Sequence, residues 1–470
     1  MLTYHLKKGP IPLYQQLYQA IKSDIMAGKL ASQEKLPSKR SLARNLGIST
    51  ITVENAYDQL ISEGLVYSQE KRGYYVNDWQ DLPNIHPRPE VDHHICLPQE
   101  EHFTFNFSEQ QSPSDLFPFS IMNRMMHDTI LNCQADLLKP PLGGGVAALR
   151  EAIASHLASF RGMAIDPKQI IVGAGTEYLY GLLIQLLGRD KIYCIENPGY
   201  KKLRQIYIKQ GVDCRLAGID DQGLMVEELN KNQAQIAHLN PTHHFPTGIT
   251  MPVSRRYQLL AWANQAEGRY IIEDDYDSEF RFHGKPLPTL QSIDASAKVI
   301  YLNTFSKSLA PTIRISYMVL PAQLANQFYR DLSFYSCTVS TFEQYSLAQF
   351  IREGYFEKHI NRMRRLYSKK REKVRRLIRD QFSPDQCQII EGETGLHLLL
   401  KFQTALSDQK VKDRLLKKGI GIKSVSDYDM SPLVRSRQLF LLNDAAVDLS
   451  MLKQALEIVK RELFSSVKLS

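Results

Sequence analysis

Helical spacing of apolar residues begins near the N-terminus of this chain. The first such pattern ends near Gly28 and predicts an amphipathic helix with one apolar face. Ser38 can cap a second helix that stops at Gly47, and Ser49 can cap a third helix directly after it. The apolar face of the first helix consists of Leu13, Leu17, Ile21 and Ile25.

Two helices joined by a short glycine turn are typical of the helix-turn-helix, in which the N-terminal residues of the second helix reach base edges. The next segment, LVYSQEKRGYYV, predicts a β-hairpin whose basic tip suits contact with phosphate or the minor groove. A plain three-helix bundle shares the helical pattern. If the module binds DNA, its candidate contacts are Ser38, Lys39, Arg40, Arg44, Ser49, Thr50, Thr52, Asn55, Lys71 and Arg72.

From about residue 105, short apolar runs alternate with helical patterns, which predicts βαβ units and a mostly parallel sheet. In such sheets, ligands bind at the carboxyl ends of the strands. From about Ser333 the chain is predicted to be mainly helical, with two later strands, LHLLLKF and QLFLLN, in a smaller α+β lobe. The strands predicted for the sheet are QIIVGAG, KIYCIE, QIAHLN, RYIIED, KVIYLN and SYMVL.

A proline-rich stretch without apolar periodicity separates these two zones and predicts a linker. The expected organisation is a DNA-binding module over 1–76, a linker over 77–104 and an α/β domain over 105–470. That domain divides into a large part at about 105–332 and a C-terminal lobe at about 333–470. No metal site is predicted, because no second cluster completes the ligand set of the linker histidines His86, His93, His94 and His102.

Composition places the chain among ordinary globular proteins. It has 470 residues, 43% of them hydrophobic and 23% charged, and its net charge of +8 is compatible with a polyanionic partner. Six scattered cysteines show no disulfide or metal spacing. We expect a cytoplasmic protein, because the sequence shows neither a signal peptide nor an apolar run long enough to cross a membrane.

A long basic segment, KHINRMRRLYSKKREKVRRLIRD, predicts a helix with a cationic face. Such a face can bind DNA, but apolar residues at helical spacing favour a helix that is buried on one side and solvated on the other. Those apolar residues are Met363, Leu366, Val374, Leu377 and Ile378.

Two polar residues follow neighbouring apolar runs. Lys307 lies just after VIYL, and Asp274 ends RYIIED. A lysine and an aspartate at the ends of neighbouring strands match the needs of pyridoxal 5'-phosphate (PLP). The lysine amine forms a Schiff base with the aldehyde, and the carboxylate keeps the pyridine nitrogen protonated.

A phosphate site is predicted at a strand, glycine turn and helix in VGAGTEYLYGLLIQLL, because a helix N-terminus favours a dianion. Tyr200, in ENPGY, follows another strand and can stack on the pyridine ring, and Tyr276 can hydrogen-bond its phenolic oxygen. His243 lies at the same sheet edge. The other expected contacts are Gly175, Thr176, Glu177, Thr304, Ser306 and Arg314.

These segments, in order and spacing, carry a resemblance to known proteins. PLYQQLYQAIKSDIMAGKL, LPSKRSLARNLGIS and RGYYV resemble the GntR-type winged helix-turn-helix, and RYIIEDDYDSEF and TFSKSLAPTIRISYMVLP resemble the fold type I aminotransferases. The combination resembles the MocR/GabR family of bacterial transcription regulators. The resemblance implies binding of PLP and of double-stranded operator DNA, and a head-to-tail homodimer.

Three positions depart from the family pattern. Thr50 stands where an arginine is common after the turn serine. Ala445 is aligned with the arginine that clamps a substrate carboxylate, and Asn443 and Asp444 beside it are expected to repel one. Lys202 replaces a second arginine, and lysine lacks the planar fork.

Three functional hypotheses follow from this pattern. Without the clamp arginine, a regulator that senses PLP itself is favoured, similar to PdxR-type regulators that control PLP (vitamin B6) synthesis. A GabR-like regulator that senses an amino acid or amine through PLP is the alternative. An active aminotransferase with a DNA-binding appendage is the third.

Overall fold

The computed structural model describes residues 3–7, 9–78, 102–108, 116–141, 143–282, 287–390, 395–431 and 437–464. The chain divides into two compact units, Met1–Gln99 and Glu100–Ser470. Most of the predicted linker lies outside the described residues, and with it His86, His93 and His94. Within the described part, no helix is long and apolar enough to cross a membrane.

The N-terminal unit contains the three predicted helices and the predicted hairpin. An additional strand, β1, was not predicted, because two residues are too short to show alternation. It pairs antiparallel with β3, so that the sheet order is β1-β3-β2. The elements are α1 (Leu13–Met26), β1 (Lys35–Leu36), α2 (Lys39–Leu46), α3 (Thr50–Ser62), β2 (Val66–Gln69) and β3 (Gly73–Val76).

The second unit alternates strands and helices. Its elements are β4 (Phe105–Asn106), α4 (Phe119–Asn132), α5 (Gln134–Leu137), α6 (Ala147–Arg161), β5 (Ile170–Gly173), α7 (Thr176–Leu187), β6 (Ile192–Asn197), α8 (Lys201–Lys209), β7 (Asp213–Asp220), β8 (Gly223–Leu224), α9 (Val226–Lys231), β9 (Ile236–Leu239), α10 (Val253–Asn264), β10 (Tyr270–Asp274), β11 (Val299–Thr304), α11 (Phe305–Ser308), β12 (Ser316–Val319), α12 (Ala322–Asp331), α13 (Thr341–Arg352), α14 (Tyr355–Gln381), β13 (Cys387–Ile390), β14 (Leu398–Phe402), α15 (Asp408–Leu416), β15 (Ile420–Gly421), β16 (Lys423–Ser424), β17 (Leu439–Leu442) and α16 (Leu449–Phe464).

The large sheet has eight strands in the order β5-β12-β11-β10-β9-β6-β7-β8. All six predicted strands are present, and β6, β7, β9, β10 and β11 pair in parallel. β12 is antiparallel to both of its neighbours. β7 was not predicted, because Asp213, Arg215 and Asp220 interrupt its apolar pattern. The carboxyl ends of β6, β9, β10 and β11 meet at one edge of the sheet.

A second sheet, in the order β13-β14-β17-β16, forms the C-terminal lobe. Phe105 and Phe107, before the large sheet in sequence, lie in the core of this lobe, where β4 pairs with β15. Phe356 and Met363 of α14 pack in the core of the large part, whereas Val374 packs in that of the lobe. Helix α14 therefore contributes to both cores.

The long helix α14 is buried on one side, as the sequence predicted. Met363, Val374 and Ile378 are buried, and Leu377 packs against the lobe core. Leu366 was predicted to lie on the same face, but its side chain is 40% exposed. At 100° per residue, Leu366 lies about 60° from Met363 toward the solvated face.

Candidate functional site: a cofactor cleft and a helix-turn-helix

Asp274 is the last residue of β10 and lies at the carboxyl edge of the large sheet. Its Oδ2 accepts a 2.5 Å hydrogen bond from the Tyr180 hydroxyl, and His238 Nε2 lies 3.4 Å away. Its Oδ1 is buried and has no partner in the described structure. An unpaired buried carboxylate oxygen is costly, and such an atom is a candidate acceptor for a ligand N–H.

Lys307 lies in the short helix α11, directly after β11, which is the parallel neighbour of β10. Burial lowers the pKa of its ammonium, and the nearby charge of Asp277 acts in the opposite direction. A lysine whose pKa is lowered by burial supplies a neutral, nucleophilic amine closer to neutral pH.

The predicted phosphate turn joins β5 to α7. Gly175 has φ +90°, and a Cβ there would lie 2.6 Å from Arg314 Nη2, so the position requires glycine. Within the described part of the chain, no side chain caps the N-terminus of α7. Free N–H groups, the helix dipole and the Arg314 guanidinium together favour an anion at this turn.

Glu177 plays a different part from the one expected. Its carboxylate forms an ion pair with Lys202 and lies 3.8 Å from Arg314 Nη2. A carboxylate repels a phosphate, so only the Glu177 backbone N–H suits that ligand. Lys202, which stands where the family resemblance leads us to expect an arginine, is paired with Glu177.

The aromatic residues expected around the ring lie near the same edge. His243 is buried, and its Nδ1 lies 2.7 Å from Asp277 Oδ2. The Tyr276 hydroxyl donates to the His243 carbonyl at 3.3 Å, and burial raises its pKa. Burial raises the pKa of Tyr200 as well, and the charges of Lys202, Glu177, Asp274 and Arg314 all act on its hydroxyl. The structure thus brings residues from five segments of the sequence together.

Thr304 and Ser306 support α11. The Thr304 hydroxyl accepts the Ser306 N–H at 3.2 Å and the Ser316 hydroxyl at 2.8 Å, and it donates to the Ile315 carbonyl at 3.4 Å. Its hydrogen-bonding capacity is fully used within the protein. The Ser306 hydroxyl donates to the Ile313 carbonyl at 2.7 Å but can still accept a bond. Thr304 therefore holds the lysine turn rather than a ligand.

Ala445 follows β17 and is buried. The neighbouring Asp444 was expected to repel a carboxylate, but its charge is neutralised by Arg371. The two side chains form a bidentate pair at 2.6 and 3.1 Å, both more than nine-tenths buried. Arg371 also donates to the Gly395 carbonyl at 2.7 Å. Asp444 therefore presents no free charge to the cleft.

These residues fit PLP. The turn before α7 suits its phosphate, Asp274 Oδ1 suits a pyridinium N–H, and Lys307 supplies an amine. Bound PLP would supply an aldehyde that condenses with an amine. The described residues contain no cluster of His, Cys, Asp or Glu arranged to hold a metal ion.

The helix-turn-helix is held by the predicted caps. Ser38 Oγ accepts the Ser41 N–H at 3.2 Å, and Ser49 Oγ accepts the Thr52 N–H at 3.1 Å. The Thr52 hydroxyl lies 2.8 Å from Ser49 Oγ, so it shares in this cap. Gly47 ends α2 with φ 65°.

The candidate DNA contacts differ in exposure. Lys39 is engaged within the unit, because its ammonium lies 2.7 Å from Glu54 and 5.4 Å from the centre of the Tyr74 ring. The others apart from Thr52 are exposed, and Lys71 takes a positive φ of 60° at the hairpin tip. The exposed set is Ser38, Arg40, Arg44, Ser49, Thr50, Asn55, Lys71 and Arg72.

Sequence reasoning missed several residues. Ile51 is 67% exposed at the start of α3, where an apolar side chain can contact a thymine methyl group. The helical pattern predicts this exposure, because Ile51 lies on the side of the helix opposite the apolar residues Val53 and Tyr57. Tyr180, Asp277 and Arg371 gave no such signal, because their partners are 94, 34 and 73 residues away in sequence.

Two family models match this chain. The model for bacterial regulatory proteins of the gntR family matches residues 13–76, and the model for aminotransferase class I and II matches residues 126–458.

Relatives match along almost the whole length. The HTH-type transcriptional regulator YdeL of Bacillus subtilis, described as uncharacterized, is 36% identical over 91% of this chain and 92% of its own length. The pyridoxine biosynthesis transcriptional regulator PdxR of Corynebacterium glutamicum is 30% identical, with 89% of each chain covered. The probable rhizopine catabolism regulatory protein MocR of Rhizobium meliloti is 29% identical over 97% of this chain and 94% of its own.

Solved aminotransferase structures match a large part of this chain. A kynurenine aminotransferase of Pyrococcus horikoshii superposes with a TM-score of 0.67 at 24% identity. The match covers 78% of this chain and 92% of the aminotransferase chain. This likeness shows the aminotransferase fold.

Proposed function

Because this chain belongs to the family of transcription regulators that join a GntR-type helix-turn-helix to an aminotransferase-like domain, we propose that it binds operator DNA and responds to PLP itself. In this proposal Lys307 would hold PLP reversibly through its amine, bound PLP would supply the aldehyde that condenses with that amine, and no catalytic turnover would follow. The controlled genes are those of PLP synthesis. PLP shifts the equilibrium between two DNA-binding states by its differential affinity for them.

The observation that carries this proposal is a contrast between two sets of residues. Asp274 Oδ1, the turn before α7 and Lys307 suit PLP. By contrast, Ala445 stands where the clamp arginine is expected, and Arg371 is engaged by Asp444. A bidentate contact to a carboxylate contributes about 1.5–3 kcal/mol, so an amino acid lacks a strong anchor here. The name of the PdxR relative supports the link to vitamin B6.

Titration of the PLP-bound protein with amino acids and amines tests this proposal. The absorbance of the PLP–lysine Schiff base should stay unchanged with each of them. A rapid spectral shift with one compound, as the amine displaces Lys307, would show that the effector is that compound. Production of a keto acid would instead show an active aminotransferase.

One observation favours the alternative, a regulator that senses an amino acid. The Arg437 guanidinium lies 3.8 Å from Asp429, which accepts a 2.9 Å hydrogen bond from Asn197 at the end of β6. This arginine is 39% exposed and lies before β17, at the same sheet edge as the cleft. If it anchors a carboxylate, Arg437→Gln should abolish a spectral response to that amino acid while leaving PLP binding intact.

We also propose a head-to-tail homodimer, as the family resemblance implies. Three large apolar side chains of the second unit are strongly exposed: Phe119 (65%), Leu138 (88%) and Phe334 (73%). Contiguous exposed apolar surface often marks a subunit interface, so these side chains are candidates for the dimer contact. Sedimentation equilibrium should give twice the chain mass, and Leu138→Glu should lower the association constant.

A further inference from the structure

A row of cations runs along the solvated face of α14, the longest helix of the second unit. Its members lie three or four residues apart, so they occupy one face over 18 residues, or about 27 Å. All six side chains are exposed: Lys358, Arg362, Arg365, Lys369, Lys373 and Arg376. We call this row the α14 stripe.

Most of the stripe is not neutralised within the protein. Arg365, Lys369, Lys373 and Arg376 have no acidic partner within 4 Å among the described residues. Two acidic residues lie beside them on the solvated side of the helix: Glu372, which is paired with Arg375, and Asp380, which lies one turn beyond Arg376. Arg362 donates to the Leu116 carbonyl, which leaves its charge uncompensated, and Lys358 lies over the Tyr355 ring at 5.2 Å.

The helix is also a rigid support. Its opposite face is anchored in both cores through Ile360, Met363, Val374 and Ile378. Arg371 adds the buried pair with Asp444. The six cations therefore keep their spacing, so that a partner with a regular row of negative charges can meet several of them at once.

We propose that the α14 stripe binds the sugar-phosphate backbone of duplex DNA, as a second contact besides the helix-turn-helix. Duplex DNA carries one phosphate per about 3.4 Å of axis on each strand, so the stripe spans about eight base pairs. Among the described residues of α14, Leu366 is the one strongly exposed large apolar side chain, and the Tyr355 ring beneath Lys358 is half-buried. Protein interfaces are instead enriched in apolar and aromatic residues and depleted of lysine. The charge pattern therefore favours phosphate over an acidic protein surface.

The contact is independent of sequence, because lysine and arginine on phosphates carry no base information. This proposal depends on the proposed function in one respect, namely that the chain binds DNA through its helix-turn-helix. Its expected effect is to strengthen binding to every duplex equally and to make that binding more sensitive to salt.

The test compares two full-length quadruple variants. The stripe variant is Arg365→Gln, Lys369→Gln, Lys373→Gln and Arg376→Gln, in which glutamine preserves helix propensity. The control variant removes the same charge from exposed cations elsewhere in the second unit: Arg189→Gln, Lys209→Gln, Lys410→Gln and Lys417→Gln. Binding is measured from 50 to 300 mM salt to two duplexes, one selected by the wild-type protein from a random pool and one of scrambled sequence.

The stripe variant should bind both duplexes roughly tenfold or more weakly at a given salt concentration. Its plot of log K against log salt should be less steep by about 2–4, since each lost phosphate contact removes about 0.9. The control should keep the wild-type slope. Equal salt slopes in all three proteins, or equal changes of slope in both variants, would contradict the proposal that the α14 stripe binds DNA. If the wild-type protein itself does not prefer the selected duplex to the scrambled one, the DNA-binding function is refuted instead. An unchanged melting temperature shows that the stripe variant is folded.

Discussion

The Tyr180 hydroxyl donates a 2.5 Å hydrogen bond to Asp274 Oδ2, from the second turn of α7 to the end of β10. His238 lies 3.4 Å from the same oxygen and is itself 2.7 Å from the Tyr207 hydroxyl. These buried contacts fix the carboxylate, and Oδ1 has no partner among the described residues. Because α7 also begins at the phosphate turn, one helix positions both the anion site and the aspartate.

Tyr180→Phe should therefore weaken PLP binding. It removes one charge-assisted hydrogen bond, worth about 1.5–3 kcal/mol, so the Kd for PLP should rise by roughly tenfold or more. Titration followed by absorbance measures this. Tyr193→Phe is the matched control, since the Tyr193 hydroxyl bonds only the Gly188 carbonyl among the described residues. Equal losses in both variants would show a general packing effect.

Lys307→Ala should abolish the absorbance band of the PLP–lysine Schiff base, whereas Lys168→Ala should keep it. In the wild type, burial lowers the Lys307 pKa, so its ammonium loses its proton at a lower pH than a free lysine. The rate of Schiff base formation should rise with pH and reach half of its maximum below the ordinary value of 10.5. A midpoint at or above that value contradicts the buried setting, and a surviving band in the alanine variant contradicts the assignment of Lys307.

The sequence predicted the parts of this site that lie in local patterns. Lys307 and Asp274 follow apolar strands, and the phosphate turn follows a strand and opens a helix, so each has a signature within about 15 residues. Tyr180, Asp277 and Arg371 had none, because their partners are set by how distant elements pack. The same reason explains Asp444, whose charge was visible in the sequence but whose pairing with Arg371 was not.

Asp444→Asn should destabilise the second unit strongly. Breaking a buried pair leaves Arg371 uncompensated, at a cost of about 3–5 kcal/mol in the free energy of unfolding. Denaturant unfolding followed by circular dichroism measures it. Asp331→Asn breaks an exposed pair with Arg330 and should cost about 0–1 kcal/mol. Similar losses in the two variants would show that the Arg371–Asp444 pair is not buried as described.

Asn55→Ala and Ile51→Ala should each weaken binding to selected DNA by about 1–3 kcal/mol with unchanged PLP absorbance. Both side chains are exposed near the start of α3. Ser62→Ala, at the far end of the same helix, should leave the Kd unchanged. Fluorescence anisotropy with the selected and scrambled duplexes distinguishes the outcomes. A loss equal on both duplexes would mean that these residues do not contact bases.

The central claim is that PLP is the signal, and the DNA affinity measured with and without PLP tests it most directly. At one fixed salt concentration, saturating PLP should change the Kd for selected DNA in the wild type. In Lys307→Ala the change should be lost, and no amino acid added on top of PLP should change the wild-type Kd further. If PLP leaves the Kd for selected DNA unchanged, and that Kd changes only when an amino acid or amine is added, PLP is not the signal.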